Sequence, residues 1–185
     1  MLLTKNQAIL HAVNSSGENL LHLSIKNDYY DMTQWLIDKG VSVNVQNKEG
    51  KTPLHYATKS GDLNLLKKLL PYCSESDLNL KDHMGSSALI LASKYNKTKI
   101  CQCLIHSGAD LNLVDEEGYS ALTWAVINEA DLSLIQMLID NGADLNVKDR
   151  NGRSPLDYAA FHRDKELCFT LIDHGAEFYE ELRCK

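Results

Sequence analysis

The chain has 185 residues, 44% of them apolar and 24% charged, ordinary values for a soluble protein able to bury a sizeable core. Its formal charge of −6 argues against a nucleic-acid-binding role, which wants a basic face. No run approaches the roughly 18 apolar residues a membrane-spanning helix requires, and the first 13 residues lack the apolar stretch of a signal peptide.

In chain order, residues 4–13 place Ala8, Ile9, Ala12 and Val13 at the spacing of one helical face. That predicts a capping helix, or a partial repeat, over residues 1–16. Gly17-Glu-Asn-Leu-Leu-His-Leu-Ser24 then opens a segment with a helix near residues 20–27 and a second over 30–39. Met32, Leu36 and Ile37 are expected to face inward there, Asp28 takes the turn between the helices, and Gly40 ends the pair in a left-handed conformation. The next opening, Gly50-Lys-Thr-Pro-Leu-His-Tyr-Ala57, reads as a helix start. Thr52 is a natural N-cap, Pro53 a first helical residue, and His55 can bond back to the Thr52 hydroxyl. Leu65, Leu66, Leu69 and Leu70 mark the core side of its second helix. Pro71 stops that helix, and residues 71–77 are expected to bulge as the most irregular loop.

Gly85-Ser-Ser-Ala-Leu-Ile-Leu-Ala92 lacks the proline and histidine, and its inter-helix turn uses Asn96. Gly118-Tyr-Ser-Ala-Leu-Thr-Trp-Ala125 is followed by one extra residue between positions 127 and 131. Gly152-Arg-Ser-Pro-Leu-Asp-Tyr-Ala159 begins a last segment ending in Gly175-Ala-Glu-Phe-Tyr-Glu-Glu-Leu182. Glu180, Glu181 and Arg183 offer a polar end, whereas Phe178 and Tyr179 equally fit a surface that a further domain covers.

The five opening glycines are 33, 35, 33 and 34 residues apart. Val43-Asn-Val-Gln-Asn47, Leu78-Asn-Leu-Lys-Asp82, Leu111-Asn-Leu-Val-Asp115 and Leu145-Asn-Val-Lys-Asp149 precede the later four. Self-similarity at this period marks a stacked array whose units bury their apolar faces only against neighbours. The chain resembles the ankyrin-repeat family, whose motif centres on Thr-Pro-Leu-His-x-Ala and ends in Gly-Ala-Asp-x-Asn; the resemblance covers about residues 15–176. It implies an all-α fold with β-turn fingers, an α-solenoid in which each repeat is a helix-turn-helix plus a hairpin loop. The repeats would span 17–49, 50–84, 85–117, 118–151 and 152–185.

No constellation points to catalysis. The sequence has no phosphate-cradling glycine loop ending in Lys-Ser/Thr, no Gly-x-Ser-x-Gly and no His-Glu-x-x-His. Cys101, Cys103 and His106 invite a metal reading, but Cys101 and Cys168 fall at the core position of Leu66, and no second ligand pair follows at a zinc spacing. We therefore expect no cofactor, no metal and no enzymatic activity. Five cysteines in a fold that needs no staples fit a reducing compartment, cytoplasmic or nuclear, with Cys73 and Cys184 as the exposed thiols. His22 and His55 sit at the motif histidine, whose ring bonds locally in the family.

Surface is what remains. The resemblance implies recognition of a partner on a concave face, made of finger tips and the exposed sides of the first helices. Carried over by position, the candidate partner-binding residues are Tyr56, Lys59 and Met84, then Lys94 and Tyr95, then Glu116, Glu117, Tyr119 and Trp124, and finally Arg150, Arg153, Tyr158, Phe161 and His162. Six of the chain's 13 aromatics fall in this set, and Tyr and Trp are frequent interface anchors. The competing expectation is that they pack against one another or against the fingers. Asp115, Glu116 and Glu117 make one finger acidic, and Lys148, Arg150 and Arg153 make the next basic. By the same resemblance, Asn44, Asn112 and Asn146, each with Leu eight residues before it, are candidates for asparaginyl hydroxylation. The expected function is a non-catalytic module, monomeric, that binds a protein or peptide and neither nucleic acid nor membrane. The alternative is the recognition arm of a larger enzyme or secreted effector.

Overall fold

A computed structural model describes residues 9–177. Five helix pairs follow one another: Leu20–Lys26 with Tyr30–Asp38, Pro53–Ser60 with Leu63–Leu69, Ala88–Lys94 with Thr98–His106, Ala121–Ile127 with Leu132–Asp140, and Pro155–Phe161 with Lys165–Asp173. First helices pack on one another in order and form one layer, while second helices form the other. Among the described residues there is no strand, only an isolated antiparallel bridge between Val13 and Asn19. This is the all-α solenoid with turn-built fingers that the family resemblance implies.

Each first helix starts as the sequence indicates. Asn19, Thr52, Ser87, Ser120 and Ser154 each accept a hydrogen bond from the backbone N–H three residues on. These caps satisfy donors that the first turn would otherwise leave unpaired. The left-handed turns also fall where expected. Asp28, Asn96, Glu129 and Arg163 all have positive φ between the helices, a place that only repeat two fills with glycine, Gly61.

The core is a spine rather than a ball. Leu36, Leu69, Leu104, Leu138 and Leu171 occupy one register position and are each fully covered. Burial at the ends departs from the reading of the sequence for a single reason. Met32 was expected inside and is 41% exposed, whereas its register partners Leu65, Ile100, Leu134 and Leu167 are buried against a preceding repeat. Thr33 is the residue that turns inward beside Leu36 and Ile37. Cys168 shows the converse: its partners Leu66, Cys101 and Ile135 are covered by a following repeat, and Cys168 is only half-buried.

Other expectations need correction. Ile9, Ala12 and Val13 do not form a buried face; Leu10 packs on the core instead. Leu70 does pack on the core, half-buried, but it begins a 3-10 turn, Leu70–Tyr72, rather than ending the helix. Residues 71–77 are no loose bulge: Ser74 and Asp77 form a capping box on a one-turn helix, Glu75–Leu78. Cys73 accordingly is not an exposed thiol. It packs on the core, its Sγ lies 3.5 Å from the Leu69 carbonyl, and burial pushes its pKa up to about 11. Phe178, Tyr179, Glu180, Glu181, Arg183 and Cys184 lie outside the described residues.

The fingers carry the tightest geometry. In each, one side-chain oxygen accepts two backbone N–H groups and closes the turn: Asn14, Asn47, Asp82, Asp115 and Asp149 bond the residues two and four positions on. Neighbouring fingers are then joined by backbone bonds, from Lys48 N–H to the Ser16 carbonyl, His83 to Glu49, Glu116 to Met84, and Arg150 to Glu117. At Gly85 (φ +75°) a Cβ would lie 2.7 Å from the Glu116 nitrogen, so the close approach of the fingers excludes any side chain. The motif histidines add a second tie. His55 accepts the Thr52 N–H at Nδ1 and donates from Nε2 to the Ser86 carbonyl, 3.0 Å away, and His22 reaches the Lys51 carbonyl in the same way. Ile90, Thr123 and Asp157 hold that position in the later repeats, so only the first three fingers are tied by imidazole.

Two predictions follow from this geometry. Gly85→Ala should cost about 3 kcal/mol in urea unfolding, because backbone strain adds to a backbone clash, against about 1 kcal/mol for Gly142→Ala, which has positive φ but open space. Equal costs would contradict the finger packing. Burial lowers the pKa of both His22 and His55 from 6.5, so the neutral rings belong to the folded state. Their contribution is complete above the unfolded pKa and is lost as pH falls below it. The urea midpoint should therefore drop between about pH 7 and 5, and the drop should shrink in a His22→Asn/His55→Gln variant.

Candidate functional site

A cleft of about 280 Å³ lies between the first helices and the fingers of repeats two to four. Its helix side carries Tyr56, Lys59, Leu91, Lys94, Tyr95 and Trp124; its finger side carries Asp82, Met84, Asp115, Glu116 and Glu117. Eight of the fourteen candidate residues therefore meet in one place. Tyr119, Arg150, Arg153, Tyr158, Phe161 and His162 do not line it. Phe161 stands 78% exposed on repeat five, and His162 Nδ1 is 3.4 Å from the Glu129 carboxylate.

The aromatics divide into two kinds. Tyr56, Trp124 and Tyr158 occupy one register position and each bonds the finger residue nine positions earlier. Asn47 donates to the Tyr56 hydroxyl at 3.1 Å, the Trp124 indole N–H donates to Asp115 Oδ2 at 2.7 Å, and the Tyr158 hydroxyl donates to Asp149 Oδ2. The same Asn or Asp closes its finger through its other contacts, so each aromatic braces a finger against a helix. Tyr119 joins this structure, edge-on to Trp124 at 5.0 Å and to Tyr158 at 6.0 Å, with its hydroxyl 3.2 Å from that of Tyr158. Packing against one another and the fingers is thus where these four rings stand. Tyr95 and Met84 differ, being 43% and 62% exposed at the cleft.

Electrostatics follow the same division. Burial pushes the Tyr56 phenol up to about 12, helped by its hydrogen bond to the Glu18 carboxylate at 3.0 Å. Burial and the bond to Asp149 raise the Tyr158 phenol in the same direction. For Asp149, burial works upward, but the Tyr158 hydroxyl and the N–H groups of Arg153 and Asn151 hold its carboxyl below the usual value. Lys94 places its ammonium 4.0 Å from the Trp124 ring centre, a cation–π contact. Lys59, Glu116 and Glu117 point charge into solvent at the cleft rim.

Among the described residues, no cluster of three His, Cys, Asp or Glu side chains could hold a metal ion, and no helix is long and apolar enough to cross a membrane. The finger-base asparagines serve as pins: Asn79, Asn112 and Asn146 each accept through Oδ1 the backbone N–H of the next repeat's turn, at 2.7–2.9 Å. Asn44 instead donates to Asp77. Two features escaped the reading of the sequence. Asn14 closes the first finger as Asn47 closes the second, and the match of Leu-x-x-x-Asn over residues 10–14 to the later signatures was the available signal. Leu91, the one apolar aliphatic between two aromatics in its row, is the floor of the cleft; its row was legible and its consequence was not.

The bracing bonds predict that Trp124→Phe and Tyr158→Phe each lower unfolding stability by about 1–3 kcal/mol, since each leaves a mostly buried carboxylate without its donor, while Tyr95→Phe changes it by less than about 0.5 kcal/mol. Urea titration of the three variants decides it. Neutral effects at positions 124 and 158 would refute the brace.

Comparison with known proteins agrees with the architecture. The family described as ankyrin repeats (3 copies) matches residues 1–82, 57–149 and 89–181. The chain is 35% identical over 130 residues to neurogenic locus notch homolog protein 1 of Homo sapiens, which covers 69% of this chain and 5% of that protein. It is 34% identical over 121 residues to the Danio rerio protein of the same name, and 33% identical over 121 residues to neurogenic locus notch homolog protein 2 of Homo sapiens, each covering 65% of this chain and 5% of the relative. The chain thus spans about a twentieth of the length of these relatives. Repeat period, capped helix starts, hydrogen-bonded fingers and these matches together place the chain in the ankyrin-repeat family.

Proposed function

We propose that this chain is a non-catalytic recognition module that binds a protein or peptide on the face formed by its fingers and first helices. Ankyrin repeats are protein-interaction modules, and here the carrying observation is the cleft of repeats two to four, where exposed Met84 and Tyr95 stand over hydrogen-bonded walls. Preorganised walls lose little conformational entropy on binding, which favours affinity at modest contact area. Charge of both signs at the rim, Lys59 beside Glu116 and Glu117, gives a partner orientation rather than bulk affinity. Recognition needs no cofactor, and we infer a monomer that works within a reducing compartment.

A second reading has one observation in its favour. The notch relatives carry the matched segment as about a twentieth of their length, which fits an array that serves as the recognition arm of a larger protein.

The test is affinity capture from cell lysate with the chain, with a Met84→Asp/Tyr95→Asp variant and with Trp35→Asp, a change on the exposed side of a second helix. Circular dichroism checks that all three are folded. Partners should be lost with the first variant and kept with the second; partners lost only with Trp35→Asp would move the site to the second-helix layer.

A further inference from the structure

The cleft exists because one brace is missing. Four consecutive first helices carry, at a single register position, Tyr56, Leu91, Trp124 and Tyr158. In three of them the aromatic fills the angle between helix and finger and contacts the finger-closing Asn or Asp. In repeat three that position is Leu91, which is shorter than an aromatic side chain and offers no donor. Its finger residue, Asp82, is 7% exposed, lines the cleft, and uses Oδ1 for the N–H groups of Met84 and Ser86. Asp115 and Asp149, its counterparts, make the same two turn bonds through Oδ1 and present Oδ2 to Trp124 and Tyr158. Leu91 leaves the corresponding oxygen of Asp82 without that donor.

We propose that the partner supplies the missing group: a Tyr or Trp side chain of a peptide segment enters the slot above Leu91 and donates its O–H or N–H to Asp82 Oδ2. This deepens the function proposed above and rests on it. Two internal examples, the Trp124 indole N–H on Asp115 and the Tyr158 hydroxyl on Asp149, define what the site accepts. The ring lies in an apolar and aromatic gap, with Tyr56 on one side and Trp124 on the other, and its polar tip meets a carboxylate. A neutral donor is what the internal examples use, and the lining carries both signs, Lys51, Lys59 and Lys94 against Asp82, Asp115, Glu116 and Glu117. Exposed Met84 and Tyr95 flank the entrance and cover the rest of an incoming residue. Phenylalanine fills the volume but offers the Asp82 carboxylate no donor, and covering that oxygen unpaired is the kind of mismatch that a site built to bond a hydroxyl rejects strongly.

The experiment uses the full chain and a phage-displayed library of random 12-residue peptides. Enriched peptides are measured by isothermal titration against the chain and against Leu91→Tyr, which closes the slot from within. The proposal expects a Tyr or Trp common to the selected peptides, an affinity loss of about tenfold or more when that residue becomes Phe, and a similar or larger loss with Leu91→Tyr. The peptide substitution needs no variant protein, so a misfolded Leu91→Tyr does not spare the idea. Peptides without Tyr or Trp that are nonetheless lost with Met84→Asp/Tyr95→Asp overturn the slot and leave the binding face standing. Peptides indifferent to every one of these variants overturn both, and a library that yields no enriched peptide overturns the slot.

Discussion

Five side-chain oxygens hold this molecule's working surface. Asn14, Asn47, Asp82, Asp115 and Asp149 each gather two backbone N–H groups and fold a finger around themselves. Four backbone bonds then lock each finger to the next. A solvent-exposed turn would ordinarily be mobile, since its backbone groups can bond to water as well as to protein. Here the turn N–H groups have intramolecular acceptors, and the glycines beside the first four tips, Gly17, Gly50, Gly85 and Gly118, let the next finger approach within van der Waals contact. The fingers are as much a hydrogen-bonded array as the helices are a hydrophobic one.

That rigidity explains the division of labour among the aromatics. Tyr56, Trp124 and Tyr158 share one register position on the first helices, and they are hydrogen-bonded to their own fingers. In the proposed recognition they fix the walls, in the manner of a supporting shell around a site. The residues proposed to touch a partner are the less anchored ones: Met84 and Tyr95 at the cleft, with Lys59, Glu116 and Glu117 around it. Phe161, the most exposed large apolar side chain among the described residues, lies further along the array and belongs to a separate part of the surface.

The sequence carried most of the fold. A period near 33 residues, Pro at the first helical position and Ser, Thr or Asn before it place the helices without any tertiary information, because capping and packing act within one repeat and its neighbours. Misreadings cluster where a neighbour is missing or changed. Met32 has the identity of a core residue, but burial depends on a preceding repeat; Cys168 depends likewise on a following one. Pro71 does stop a helix, yet Ser74 and Asp77 cap another four residues later, a signal readable in principle and outweighed by the proline. The candidate site was half legible. Register brings eight of the candidate residues to one cleft, but whether an aromatic ring is free or braces a finger depends on the Asn or Asp nine residues away, and no pattern in a single repeat states that.

The hydrogen-bonded fingers are the premise on which the cleft, the braces and the proposed recognition all stand, and amide hydrogen exchange reads them directly. The account predicts that the tip amides of Lys48, His83, Glu116 and Arg150, the donors of the finger-to-finger bonds, exchange as slowly as amides within the first helices of the same repeats. Tip amides exchanging at the rate of open turns, beside protected helices, would mean that the fingers move independently and that no preformed cleft exists between them.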